Sequence, residues 1–261
     1  MKTLAIIIHY NSPGTFKLVK TLSESGIKTI VVNNEDQDLI TKVKFPNPPE
    51  IINNHSNIGF SSAANIGIKR ALGLNASIII LINPDIGLSK KNLAKMLNCK
   101  YDIYAPVIKY SHNGVKVMDY GGKVNKVTGR ATHLIYKNRQ RILPSIDYVS
   151  GAFMVINTKI FKSKLLLNEE YFLYYEDTEF CIKAKKLGYL IGVCGDFTVK
   201  HGLSQSVGIN HWNKHYHNLK SNVIFIKNNI EPLYKPIAYG YWSLLVAWTT
   251  MKYILSMFIV K

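Results

Sequence analysis

The sequence predicts an α/β fold built on a mostly parallel central sheet, and three features carry that expectation. Unbroken runs of β-branched and aliphatic residues alternate with segments whose apolar residues recur at helical spacing. Several runs stop at clusters of polar turn formers. The length, 261 residues with 47% hydrophobic and 19% charged, suffices for one or two domains with a buried core and excludes a disordered or collagen-like chain.

In chain order, Leu4–Ile8 reads as a strand buried on both faces of a parallel sheet, ending at Asn11-Ser-Pro-Gly14. A helix follows over about 15–25, where Phe16, Leu18, Val19 and Leu22 share a face and Gly26 closes the last turn. Lys28–Val32 is a second buried strand, ending at Asn33-Asn34, and completes a βαβ unit. Glu50–Ile52, a helix near 61–72 and Ser77–Ile82 repeat the pattern, the last run stopping at Asn83-Pro-Asp85. Ligands of such sheets collect at the carboxyl ends of the strands, which places 9–11, 33–35 and 83–85 on one rim. Between 101 and 140 glycine pairs and short alternating runs suggest hairpins or a loop over the site, made basic by Arg130, Lys137, Arg139 and Arg141. Strand character returns over 148–156, a helix is expected over 176–187 with Gly188 after it, and 189–193 is another strand. No internal repeat or low-complexity segment is visible.

Lys and Arg number 33 against 16 Asp and Glu, a formal net charge of +17, so an anionic partner is expected: nucleic acid, a phosphorylated substrate or an acidic membrane surface. The lysines are scattered and accompany no recognisable nucleic-acid motif, which sets the first reading aside. Cys99, Cys181 and Cys194 show no Cys-x-x-Cys spacing, so neither a disulfide framework nor a zinc ribbon is expected, and the default setting is reducing and cytosolic. The opening apolar run is too short for a signal peptide. The tail over 237–260 is apolar apart from Ser243, Thr249, Thr250, Lys252 and Ser256, and nearly long enough for the roughly 20 residues of a membrane span. Lys252 well inside it favours an interfacial helix with a snorkelling lysine; a helix packed on the domain or on a second subunit is the alternative.

Four segments carry candidate chemistry. Asn83-Pro84-Asp85 puts one carboxylate at the sheet rim, where Mg²⁺ or Mn²⁺ needs only one or two protein oxygens if phosphates supply the rest; by itself the tripeptide reads as a plain turn. Tyr171-Phe-Leu-Tyr-Tyr-Glu176-Asp177 sets two acids after an aromatic run and at a helix start. Helix-dipole complementarity explains the acids, with Glu179–Lys183 an ordinary i,i+4 pair, but not the aromatic wall, which would raise a carboxyl pKa and suit a general base. His201, after a short β-like run over 197–200, could complete an Asp/His metal set with a neutral imidazole. Asn57-Ile-Gly59-Phe60 through Asn65 and Gly67 opens a helix with small residues, so a ligand anion could approach its free N–H groups; it is neither a dinucleotide fingerprint nor a Walker loop. His211, His215 and His217 lack a nearby acid and read as a solvated helix face rather than a zinc site.

In this order the segments resemble glycosyltransferase family 2, in particular its bacterial rhamnosyltransferase-like branch. The resemblance rests on Tyr10-Asn11, Val31-Val-Asn33-Asn34, the 57–67 segment, Leu81-Ile-Asn83-Pro-Asp85, Val149-Ser-Gly151-Ala152-Phe-Met154, Tyr174-Tyr-Glu176-Asp177 and His201, and spans about 3–205. It implies a GT-A fold, a Rossmann-like mixed and mostly parallel sheet flanked by helices, over 1–205. The nucleotide-binding half is then 1–100, the acceptor-binding half 101–205, and 206–261 an apolar helical tail. It further implies a nucleotide-sugar donor, Mg²⁺ or Mn²⁺, and inversion at the anomeric carbon. By position Asp85 resembles the metal-binding acid and His201 the later metal-associated histidine; Asp177 resembles the catalytic base, with Glu176 helping to hold the acceptor. Tyr10, Asn11, Asn33, Asn57, Gly59, Phe60, Asn65 and Asn83 fall in donor-contacting segments, and Gly151 and Ala152 where acceptor and donor sugar meet. The family commonly has Asp where this chain has Asn33, an amide that can both donate and accept. The function so implied is transfer of a sugar, L-rhamnose from dTDP-rhamnose first, or galactofuranose, glucose or an N-acetylhexosamine, to a lipid-linked saccharide in surface polysaccharide synthesis. The tail would then contact the inner face of the cell membrane or pair two copies.

Overall fold

The computed structural model describes residues 2–39, 44–89, 93, 96, 99–112, 114–202 and 211–259. The boundary set at residue 205 lies outside them. Among the described residues there are ten strands: β1 (Thr3–His9), β2 (Lys28–Asn33), β3 (Glu50–Asn53), β4 (Ile78–Ile82), β5 (Ile86–Gly87), β6 (Ile103–His112), β7 (Val115–Val124), β8 (Ala131–Tyr136), β9 (Phe153–Asn157) and β10 (Ile191–His201). They form one sheet in the order β3-β2-β1-β4-β9-β6-β10-β5, with β7 and β8 continuing from β6 as a hairpin extension. Along that path β3, β2, β1, β4, β6 and β10 point one way, while β9 and β5 run against them. The sheet is mixed and mostly parallel, as expected.

Alternation along the buried strands explains the two-sided core. Leu4, Ile6 and Ile8 of β1 face one layer with Ile79 and Leu81 of β4, whereas Ala5 and Ile7 face the other with Ile78, Ile80 and Ile82. Helix α1 (Thr15–Ser23) covers the second layer through Leu18, Val19 and Leu22. The first is covered by α2 (Phe60–Gly73), through Ala63, Ala64, Ile68 and Ala71, and by α3 (Glu176–Lys186), through Phe180, Cys181 and Ala184. Helix α2 lies close to the sheet because of its small residues. A Cβ added at Gly67 would stand 2.5 Å from the Ile6 side chain.

Three local expectations are corrected. The strand expected over 148–156 begins only at Phe153, because Ser150 to Ala152 turn the chain, and Tyr148 makes an isolated bridge to Gly122. The runs at 189–193 and 197–200 are parts of one strand, β10, whose register against β6 shifts between Cys194 and Thr198. Cys99 and Cys194 form a disulfide, leaving Cys181 buried and free. A sequence separation of 95 gives that pair no local spacing signature; the tertiary fold brings the two Cα atoms to 6.1 Å.

The C-terminal segment forms two helices, α4 (His211–Asn229) and α5 (Lys235–Ile259), packed on each other. The Trp242 indole N–H donates to the Leu219 carbonyl at 2.9 Å, and the rings of Trp212 and Tyr253 lie 4.4 Å apart. Phe225, Ile226, Ile230 and Ala238 form a small core with Tyr171 and Tyr175, seating the pair on the aromatic run before α3. No helix among the described residues is long and apolar enough to cross a membrane. The opposite side of α5 is exposed at Leu244, Trp248, Met251 and Leu255, positions that share a helical face.

Candidate active site

Two cavities are each lined in part by the aromatic run. The first, about 150 Å³, is lined by Tyr10, Asn34, Asn57, Asp85 and Phe172, with Gly59, Phe60 and Asn83 also on its wall. Tyr10 and Asn57 extend it into a shallower depression with Asn11, Glu35, Asp36 and Gln37. The second, about 280 Å³, holds Asp177, Glu176, His133 and Arg130, and is closed by α4 and α5 through Asn218, Leu245 and Thr249. Phe172 and Leu173 face the first cavity, Tyr174 and Tyr175 the second. The run expected to wall a carboxylate thus lines both cavities, and Tyr174 and Tyr175 stand beside Glu176 and Asp177 in the second.

Asp85 sits on the turn between β4 and β5. β5 pairs with the end of β10, Ile86 opposite His201, so the turn and the histidine are delivered together. Their Asp85 Oδ1 and His201 Nε2 atoms lie 3.2 Å apart, side chains 10% and 14% exposed, and the Gly202 N–H donates to the Asp85 carbonyl at 3.1 Å. An oxygen and an imidazole nitrogen side by side fit a divalent first-row cation completed by phosphate oxygens. Among the described residues no group of three or more metal-ligating side chains occurs, so a metal here would depend on its ligand for the remaining positions.

Asp177 is fixed by donors on both oxygens. The Gly151 N–H reaches Oδ2 at 2.7 Å, while the Thr178 N–H and hydroxyl reach Oδ1 at 2.6 and 3.1 Å. A side chain on Gly151 would press on this carboxylate, since its Cβ would lie 3.2 Å from the Asp177 Cβ. The Asn83 N–H donates to the Ala152 carbonyl at 2.9 Å, so Asp85's turn and Asp177 are joined through Asn83, Ala152 and Gly151. Tyr174 and Tyr175, directly before α3, hold φ values of 72° and 69°. Bulky residues rarely adopt this left-handed conformation, and such strain collects at functional sites.

The buried acid is Glu176, not Asp177. Burial, and then the Asp177 charge, push its carboxyl well above the usual range, and its Oε2 has no hydrogen-bond partner. Folded protein therefore keeps a proton that the unfolded chain releases, and stability falls as pH rises from the ordinary carboxylate range upward. Glu176→Gln should flatten that loss: the gap in melting temperature between about pH 5 and about pH 8 narrows relative to wild type. An unchanged gap would mean that Glu176 ionises normally in the fold. The other expected pairing in this helix is present, with Lys183 Nζ 3.0 Å from Glu179.

Two donor-side residues are corrected. Asn33 is fully buried, its amide donating to the Gln37 carbonyl at 2.7 Å and to Asn53 Oδ1 at 2.9 Å, and it lines neither donor-side cavity. The pleat turns it inward; its neighbour Asn34 faces the cavity instead, donating to Asn57 and accepting from the Ile58 N–H. Asn65, 1% exposed, is a tie: its amide donates to the Leu167 carbonyl and to Glu169, and its oxygen accepts from the Leu167 N–H. It anchors the approach to the aromatic run rather than facing a ligand. At the start of α2 the Phe60 N–H is already taken by the Phe172 carbonyl at 2.7 Å, so the helix end is less open to an anion than expected. Gly59, with φ at 85°, is required there, since a Cβ would meet the Phe172 backbone.

Sequence reasoning placed Glu35 on the rim and Arg130 in the basic segment over the site but singled out neither as a site residue, and it missed His133. Glu35 accepts the Asn11 N–H and lies 3.2 Å from His9 Nε2; its place directly after the β2 strand end was the available signal. Burial lowers the His9 pKa, opposed by Glu35. His133 Nδ1 lies 2.8 Å from Asp119 and its ring meets Tyr148 edge-on. Burial works against its proton, but Asp119 and then Asp177 outweigh this and raise its pKa.

No family model matches the chain. Two curated proteins do. The low-salt glycan biosynthesis hexosyltransferase Agl10 of Haloferax volcanii is 26% identical over 197 residues, 72% of this chain and 63% of that protein. The dTDP-rhamnosyl transferase RfbF of Shigella flexneri is 22% identical over 269 aligned positions, covering 92% and 85%. The chain is a relative of known sugar transferases. It spans a little under two thirds of the length of Agl10. Among solved structures, mannose-1-phosphate geranyltransferase from Thermus thermophilus overlays with a TM-score of 0.42 at 13% identity, over 77% of this chain and 74% of that one.

Proposed function

We propose that this chain transfers a sugar from a nucleoside diphosphate donor to a saccharide acceptor, with inversion at the anomeric carbon. The observation that carries this reading is the joined pair of cavities: the Asp85–His201 pair at one, Asp177 at the other, and the Asn83–Ala152–Gly151 hydrogen bonds between them. The donor lies across the first cavity, its nucleoside toward Tyr10, Asn11 and Asn57 and its diphosphate toward Asp85. Asp85 and His201 would hold Mg²⁺ or Mn²⁺, which when bound offsets charge on the departing diphosphate. In the second cavity Asp177 takes the proton of the acceptor hydroxyl as its oxygen bonds to the anomeric carbon. The bond from that carbon to the diphosphate oxygen breaks on the opposite face, and the nucleoside diphosphate leaves with the electron pair. Glu176, on the wall of the same cavity, helps hold the acceptor.

The favoured donor is dTDP-rhamnose, supported by the likeness to RfbF together with the rhamnosyltransferase-like order of the motifs. The favoured acceptor is lipid-linked, used at the cytoplasmic face of the cell membrane, with the exposed apolar face of α5 against the bilayer and a net charge of +17 favouring anionic lipid. The deciding experiment is release of nucleoside diphosphate from a panel of sugar nucleotides with Mg²⁺, with Mn²⁺ and with chelator. Turnover of one donor, stopped by chelator, is expected. If no donor turns over and no nucleotide binds in a metal-dependent way, the reading fails.

A further inference from the structure

The Cys99–Cys194 bond belongs to neither of the cavities described above. It lies in the wall of a third, about 770 Å³, with Lys100, Arg139, Arg141 and Asp196, which shares no lining residue with the other two. Both cysteines line it, so the bond is open to a molecule that enters. The two residues differ in access: Cys194, within β10, is 6% exposed, whereas Cys99, ahead of β6, is only half-buried.

Three cations face one acid around this bond. Lys100 follows Cys99 in the chain, and the Arg139 guanidinium donates to the carbonyl of Gly195, the residue after Cys194, at 2.7 Å. The segment that carries Arg139 and Arg141 is itself fixed. The Gln140 N–H donates to the Tyr120 hydroxyl at 2.9 Å, and Leu143 covers Gly195, where a Cβ would lie 2.9 Å from its side chain. Thiol–disulfide exchange needs a thiolate as the attacking sulfur and releases another, and neighbouring Lys and Arg stabilise both. A cationic wall also concentrates an attacking thiol that carries further negative charge.

The strand does not depend on the bond. β10 pairs with β6 on both sides of its register shift, 191–194 against 103–106 and 198–200 against 107–109, so opening the bond leaves the ladder in place.

We propose that Cys99–Cys194 is an exchange site for an anionic low-molecular-weight thiol, held in this cavity by Lys100, Arg139 and Arg141, and that Cys99 is the residue it attacks. The incoming thiolate bonds to Cys99 Sγ as the bond between the cysteines breaks; Cys194 leaves with the electron pair and takes a proton from water. Cys99 then carries the thiol as a mixed disulfide. Either the Cys194 thiolate displaces it and restores the original bond, or a second thiol removes it as a disulfide and leaves Cys99 reduced. The site is independent of the transferase reading. The cytoplasmic face proposed above supplies the thiol, and disulfides in that setting are as a rule transient rather than permanent.

The test is the rate at which the bond opens in the full chain, read by alkylation and mass of the cysteine peptides, with anionic glutathione and with cationic cysteamine. Each rate is divided by that of the same thiol on the neutral disulfide of mercaptoethanol. At low salt the glutathione ratio should exceed the cysteamine ratio about tenfold or more. The two should converge in about 1 M NaCl, where charges more than about 3 Å apart are screened. Lys100→Gln combined with Arg141→Gln should lower the glutathione ratio about fivefold or more; the salt comparison uses wild type alone and stands even if that variant fails to fold. In Cys194→Ser, oxidised glutathione should load one glutathione on Cys99, and in Cys99→Ser it should load Cys194 at least about tenfold more slowly, because that residue is buried. Equal ratios for the two thiols at low salt, a bond that opens only when the chain unfolds, or faster loading of Cys194 than of Cys99 would each overturn the proposal. So would recovery of both cysteines as free thiols from folded protein kept with oxidised glutathione. Release of nucleoside diphosphate from a donor, measured on the same preparation, is a separate readout, so failure here leaves the transferase reading untouched.

Discussion

Asp177→Asn should reduce sugar transfer by about two to four orders of magnitude, the usual worth of a positioned general base, while leaving donor affinity near that of wild type. The direction follows from geometry. Asp177 stands in the acceptor cavity, with Gly151 donating to one oxygen and Thr178 to the other, and no donor-cavity wall includes it. Asparagine keeps the shape and can keep the Thr178 contact through its carbonyl, but its NH₂ cannot accept from Gly151 or take a proton from an acceptor hydroxyl. The expected result is a fall in kcat with the donor KM little changed. Circular dichroism and the melting temperature establish that the variant folds. Transfer at more than about a tenth of the wild-type rate would exclude Asp177 as the base.

Strand and helix placement was legible because burial on both faces writes itself into composition. Ile78-Ile-Ile-Leu-Ile82 could hardly be anything but a central strand, and the turn formers after it mark where the rim must be. The rim position of Asp85 and the helix-start position of Asp177 were legible for the same local reason. What local pattern could not supply was the direction each polar side chain takes. Asn33 and Asn34 are adjacent, yet the pleat buries one against Gln37 and Asn53 and turns the other to the cavity. Asn65 points at a loop about a hundred residues away in sequence, where Leu167 and Glu169 consume its amide. Contacts of this range also hid the Cys99–Cys194 bond and the Arg130–Tyr241 bond, and with the latter the part α5 takes in the acceptor cavity. The tail was readable as an apolar helix. Which of its faces meets protein and which meets solvent depends on α4 and the aromatic run, whose positions no periodicity encodes.

Asp85→Ala should remove metal-dependent nucleotide binding altogether, a larger effect on the donor side than any other single change. Among the described residues Asp85 is the only carboxylate on the first cavity's wall, and its imidazole neighbour at 3.2 Å cannot offset a divalent charge alone. The turn itself should survive, because the backbone bonds that hold it, from Asn83 to Ala152 and from Gly202 to the Asp85 carbonyl, do not involve the carboxylate. The variant separates a metal role from a structural one. Titration with Mn²⁺ in the presence of a nucleoside diphosphate, read by the paramagnetic signal of free Mn²⁺, should show wild type taking up the ion and Asp85→Ala not doing so, at similar melting temperatures. His201→Ala should fall between them, since the carboxylate remains and loses one nitrogen ligand. If Asp85→Ala still bound Mn²⁺ with nucleotide as wild type does, the ion would have to sit elsewhere. Other acids on that rim are Glu35 and Asp36, and Glu35 already faces His9 and the Asn11 N–H. A cation there would sit at the nucleoside end of the donor, away from the diphosphate whose charge it has to meet, so retained binding would also reverse the direction in which the donor lies.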